Sequence, residues 1–133
     1  MLAAAMMGAT AFQRGLGAMH ALSHPIGAMF NTHHGMTNAV LMPFVLDWNR
    51  SAIENKINDL SRYLSISDGF DGFRKWIINL RKSLSVPDGL ESLGVESSKI
   101  AAIAEMSLLD PSAAGNPRIL DYDGALEILE AAF

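Results

Sequence analysis

No cysteine occurs anywhere in the chain. Disulfides and thiolate metal sites are thereby excluded, and any metal must be held by histidine, carboxylate or water. Charge is scarce as well: 18% of residues are charged against 50% apolar, and the apolar share lies at the upper edge for a soluble globular chain. So thinly charged a surface implies that apolar area is hidden against a partner, either a second copy in a homo-oligomer or a missing domain. Basic patches are lacking too. A net charge of -4, with no interleaving of aromatic and basic residues, excludes nucleic acid as a partner.

Long hydrophobic runs are also missing. The apolar opening Met1–Phe12 is too short to span a bilayer, so no membrane is expected. It resembles the apolar stretch of a secretory signal, but the first positive residue, Arg14, follows the run instead of preceding it. The expected location is therefore cytoplasmic.

No stretch alternates apolar and polar residues over a strand's length, whereas helical spacing recurs throughout. The Ala- and Met-rich residues 2–13 should form a helix buried nearly all round. Gly15 and Gly17 mark a break or a close helix contact. A second helical stretch covers 16–24, kinked or ended by Pro25, and a third covers 36–48 with a bend at Pro43. Ser51 and Glu54 have capping-box spacing ahead of the stripe Ile53, Ile57, Leu60, Leu64. The next helix should bury Phe73, Trp76, Ile77, Leu80 and Leu84 and turn Arg74, Lys75, Arg81 and Lys82 to water. Ser97 or Ser98 can cap a helix carrying Ile100, Ile103, Ala104 and Leu108. Residues 110–117 read as a loop, and Asp121 caps the last helix. The expectation is a single all-α domain over residues 1–133, a bundle of about six to eight helices.

All four histidines fall between positions 20 and 34. His20 and His24 are four apart on a helix, so they project from one face one turn apart. His34 returns after a turn, next to Gly35, which would let backbone approach a bound group. Imidazoles converging in this way suit a divalent ion such as zinc or iron. Equally, histidines on apolar helices serve as hydrogen-bonded packing residues, and three of them do not make a reaction. Ala21 stands where an H-E-x-x-H metalloprotease carries its glutamate, which disfavours a hydrolase. No G-x-S-x-G elbow and no glycine-rich phosphate loop is present. The carboxylates are scattered singly and offer no acid–base pair. Arg118, in Gly115-Asn116-Pro117-Arg118, could meet a phosphate but reads more simply as structural, and the eight methionines read as core filler.

Residues 15–43, GLGAMHALSHPIGAMFNTHHGMTNAVLMP, resemble the signature of the iron-containing (group III) alcohol dehydrogenases: His-x-x-x-His-Pro-x-Gly-Ala, a turn, His-Gly, then an apolar helix with Leu-x-Pro. The resemblance extends at low identity over the whole chain and returns at Asp110 and Gly115-Asn116-Pro117-Arg118. It implies the helical C-terminal domain of such an enzyme, with His20 and His34 as metal ligands. It also implies His24 as an active-site histidine beside nicotinamide and substrate, moving or orienting a proton. His33 stands where relatives often carry proline, and is either merely exposed or an extra nitrogen for a metal. The cofactors implied are iron, or zinc, and NAD(P). Relatives carry their nucleotide-binding domain, and an Asp-x-x-x-His pair completing the metal site, ahead of this region. The resemblance therefore implies an incomplete metal site with two of four ligands, NAD(P) only where a nucleotide-binding domain is supplied, and no activity for this chain alone. The alternative is a non-catalytic, self-associating helical module whose histidines are structural.

Overall fold

The computed structural model describes all 133 residues. Seven α-helices follow one another: α1 Leu2–Phe12, α2 Ala18–Phe30, α3 His34–Trp48, α4 Arg50–Tyr63, α5 Gly69–Ser83, α6 Ile100–Leu108 and α7 Tyr122–Ala131. Short 3-10 turns occupy Leu90–Leu93, Ser97–Lys99 and Pro111–Gly115, and there is no strand. The fold is all-α, within the helix count expected from periodicity. No helix is long and apolar enough to cross a membrane.

Helix α2 forms the centre. It packs on α3, on α6 and on the Pro111–Gly115 turn, while α7 closes against α3 and α6. Ala18, Ala21, Leu22 and Ile26 of α2 are fully buried, as are Val40 and Leu41 of α3, Ile103 of α6 and Leu129 of α7. Each of the larger side chains contributes about 1.5–3 kcal/mol on leaving water. The small residues Ala18 and Ala21 let neighbouring elements approach α2, and Leu22 and Ile26 fill the space beyond them. Pro25 does not end α2, which runs five residues further. Proline costs the ladder one donor at that point, and burial of the surrounding turn outweighs it. Termination comes at Asn31, which adopts the left-handed conformation and returns its N–H to the Gly27 carbonyl. Likewise α3 continues through Pro43.

Helices α3 and α4 are separated by Asn49 alone. The Ser51–Glu54 capping box does not form: α4 begins at Arg50, and Glu54 instead accepts from the Arg50 guanidinium at 2.7 Å. The α4–α5 hairpin has a small core of its own, Leu46, Phe70 and Ile77, with Ile53, Ile57 and Phe73 packed on it. Arg74 ties the hairpin to α3 through Asp47, at 2.6 Å. Arg81 donates to the Pro87 and Asp88 carbonyls. These two arginines therefore pair with the protein, against the expectation that both face water.

Two further expectations about burial are corrected. Trp76, Leu80 and Leu84 are 46, 43 and 65% exposed, and Leu60 and Leu64 of the α4 stripe are exposed as well. The hairpin is only two helices thick on that side, so its apolar stripes are wider than the surface available to cover them. Helix α1 has no buried residue, although its composition predicted burial all round. Composition reports that the helix favours an apolar environment; this chain supplies no second layer to provide one.

Candidate functional site

The site assembles from the first turns of α3 and the middle of α2. The start of α2 is set by a close approach: Gly17 precedes the helix, and a Cβ there would lie 2.9 Å from Asn116 Oδ1. That oxygen accepts from the Ala18 N–H at 3.1 Å, satisfying one of the unpaired donors at the helix terminus. Spacing along α2 then puts His20 and His24 on one face. His33 caps α3, its Nδ1 accepting from the Met36 N–H at 3.3 Å, and so delivers His34 at the first helical position.

Three imidazoles meet as a result. Ring centroids lie 5.8 Å apart for His20–His24, 5.2 Å for His20–His34 and 5.4 Å for His24–His34, the last pair stacked. Asn38, one turn beyond His34, places its amide nitrogen 3.0 Å from His34 Nε2 and 3.4 Å from His20 Nε2. An amide N–H can only donate, so both Nε2 atoms present lone pairs to one point. The Asn38 carbonyl oxygen is buried without a partner. Burial lowers the His20 pKa below its usual value, and the neighbouring His34 and His24 lower it further, which keeps this imidazole neutral and its lone pair available. His20 and His34, carried on two rigid helices, are the residues that could hold a divalent ion through nitrogen. No three His, Asp or Glu side chains converge closely enough to form a metal-binding group by themselves.

His33 stands apart from this cluster, in its capping role. Arg118 is structural: it donates to the Trp48 carbonyl at 2.9 Å and stacks its guanidinium 4.0 Å from the Trp48 ring centre. The residue to which sequence reasoning assigned no role is Asp110. Its Oδ2 lies 2.7 Å from His24 Nδ1, joining residues 86 apart. Burial works to raise the Asp110 pKa, but hydrogen bonds from His24 and from Ser112 outweigh it and hold the carboxyl below its usual range. The sequence signals were its place before Pro111, a turn-initiating pair, and the return of the family resemblance at this position, and neither points to a distant histidine. Beside the His24–Asp110 pair lies an open cleft of about 350 Å³, walled by Pro25, Ala28, Met106 and Leu109.

Residues 1–133 match the model of the Fe-containing alcohol dehydrogenase family, C-terminal. The chain belongs to the iron-containing alcohol dehydrogenase family. Lactaldehyde reductase of Escherichia coli K12 is 30% identical over 126 residues, which cover 90% of this chain and 33% of that enzyme. The 4-hydroxybutyrate dehydrogenase of Cupriavidus necator is 34% identical over 139 residues, covering 96% and 36% respectively. A crystal structure of 1,3-propanediol oxidoreductase superposes with a TM-score of 0.83 at 30% identity, over 89% of this chain and 33% of that one. The alcohol dehydrogenase fold of Oenococcus oeni superposes with a TM-score of 0.81 at 24% identity, over 89% of this chain and 33% of that one. The chain thus spans about a third of the length of these relatives, and the iron-containing dehydrogenase domain it matches is their helical C-terminal part.

Proposed function

We propose that this domain supplies the histidine half of the metal site of an NAD(P)-dependent alcohol or aldehyde oxidoreductase. His20 and His34 are the metal ligands, and His24 acts beside them on the proton of the alcohol. The observation that carries this reading is the convergence of two Nε2 lone pairs on the Asn38 amide nitrogen, with a third imidazole against them. Iron, or zinc, bound there would supply Lewis acidity, and a nicotinamide the hydride acceptor. The chain's own residues do the rest. His20 and His34 hold two nitrogens in place on rigid helices, and His24 presents an imidazole to the reacting group. The remaining ligands and the dinucleotide site come from a nucleotide-binding domain, in the same polypeptide or another. Two nitrogens without a carboxylate bind a divalent ion weakly, so the 133 residues alone are expected to turn over no alcohol.

The test is calorimetric titration of the chain with zinc and with ferrous iron. Binding that disappears in both His20→Ala and His34→Ala is the expected result. Adding a nucleotide-binding domain of the family should tighten that binding and produce alcohol-dependent NADH formation; no turnover at any ratio overturns the enzymatic half.

A second reading is favoured by one observation, the wholly exposed apolar surface of α1. In it the domain is a self-associating helical module and the histidines are packing residues. It predicts an oligomer whose melting temperature ignores metal. A rise of several degrees with zinc or iron, lost in His20→Ala, decides against it.

A further inference from the structure

His24 and Asp110 are joined across the seam between α2 and the turn that follows α6. A carboxylate offers only lone pairs, so the imidazole nitrogen that faces it is the protonated one. The contact, at 2.7 Å, lies in the range of charge-assisted hydrogen bonds. The other carboxylate oxygen accepts from the Ser112 N–H at 2.8 Å, so the group is held from both sides. Asp110 also precedes Pro111, which confines its backbone to the extended region, at φ -75 and ψ 130. Shielding is uneven: the Asp110 side chain is 15% exposed and that of His24 42%. The carboxylate is thus turned inward and the imidazole reaches outward. His24 Nε2 makes no hydrogen bond to the protein.

We propose that Asp110 is the positioning residue for His24, fixing the Nδ1–H tautomer and leaving Nε2 unprotonated and free to accept a proton. A neutral imidazole in water moves between two tautomers, and the hydrogen bond at one nitrogen decides which the other presents. A base carrying its proton on the wrong nitrogen is inert toward the group in front of it. Asp110 therefore sets both the aim and the proton-accepting nitrogen of His24, from a loop 86 residues away. The functional consequence rests on the role proposed above for His24; the tautomer itself belongs to the chain without metal or nucleotide.

Capping of the Pro111–Gly115 turn is the competing role for Asp110, and Asp110→Asn separates the two. The asparagine Oδ1 can still accept from the Ser112 N–H, which preserves the cap. Its amide nitrogen then faces His24 Nδ1 and can only donate, which drives the imidazole proton to Nε2. The measurement is a long-range proton–nitrogen NMR correlation on the 15N-histidine-labelled chain at about pH 8, above the ordinary histidine range. His24 is assigned by the signal missing from His24→Gln. The expected result is a proton on Nδ1 in the wild type and on Nε2 in Asp110→Asn, with the variant still unfolding in a single cooperative urea transition. A wild-type His24 protonated on Nε2, or an unchanged tautomer in Asp110→Asn, overturns the proposal. Should that variant fail to fold, the wild-type spectrum decides alone. A wild-type Nδ1–H in a chain that binds no zinc or iron keeps this inference and removes the metal reading.

Discussion

Asn49 and Asn116, 67 residues apart, exchange two side-chain hydrogen bonds, of 3.1 and 2.8 Å. The same Asn116 oxygen accepts from the Ala18 N–H, and its amide also donates to the Arg118 carbonyl. One side chain therefore joins the first turn of the His20 helix, the α3–α4 junction and the loop before α7. Gly115 belongs to this joint as well, because a Cβ there would collide with the Leu16 carbonyl.

Asn116→Ala removes these bonds and strands the amide of Asn49, which is buried. The expected loss is about 2–4 kcal/mol of unfolding free energy, measured by urea denaturation. Zinc affinity should fall with it, since the start of the His20 helix loses its anchor. A loss under about 0.5 kcal/mol, the size of an ordinary surface change, would show that the joint contributes nothing.

Arg118→Ala is expected to cost about 1–2 kcal/mol, from a charged hydrogen bond to the Trp48 carbonyl and a cation–π contact with the Trp48 ring. Tryptophan fluorescence should shift at the same time. Phosphate should not protect the wild type against unfolding; protection would restore the phosphate-binding option for this arginine.

Asp110 makes stability depend on pH with a definite sign. Its folded pKa lies below the ordinary carboxylate value, because the hydrogen bonds from His24 and Ser112 outweigh the opposing effect of burial. The stabilisation is complete above the unfolded pKa of about 3.9 and is lost as pH falls through the lower folded value. The urea midpoint of the wild type should therefore drop further than that of Asp110→Asn between about pH 5 and pH 3. Parallel curves for the two proteins would show that the pairing does not contribute.

Helix α1 buries none of its residues, so Met6→Gln with Met7→Gln should leave the unfolding free energy within about 0.5 kcal/mol. Light scattering should fall, because both side chains are largely exposed. A destabilisation of about 2 kcal/mol or more, typical of a core truncation, would mean that α1 packs against the remainder of the chain.

Much of this architecture was legible in order along the chain. The i, i+4 spacing of His20 and His24 depends only on helix geometry. Asp121 capping α7 depends only on its own next turn, where it accepts from the Gly124 N–H at 2.8 Å. Gly17 was readable as a close contact, though not with what. The Ser51–Glu54 pair shows the limit of such local reading. The capping motif was present, but α4 had already started at Arg50, and Arg50 was the nearer partner for Glu54.

The amino-acid sequence by itself determined the all-α class, the helix order and the family, because periodicity, caps and the histidine signature are set by residues within a few turns of each other. It also determined that His20, His24 and His34 share a neighbourhood. Only the tertiary structure decided which apolar faces are covered, leaving α1 and the Trp76–Leu80–Leu84 stripe exposed. It alone joined Asp110 to His24 and Asn116 to Asn49. Those pairings depend on where distant segments land once α2 is buried, and no spacing along the chain encodes that distance.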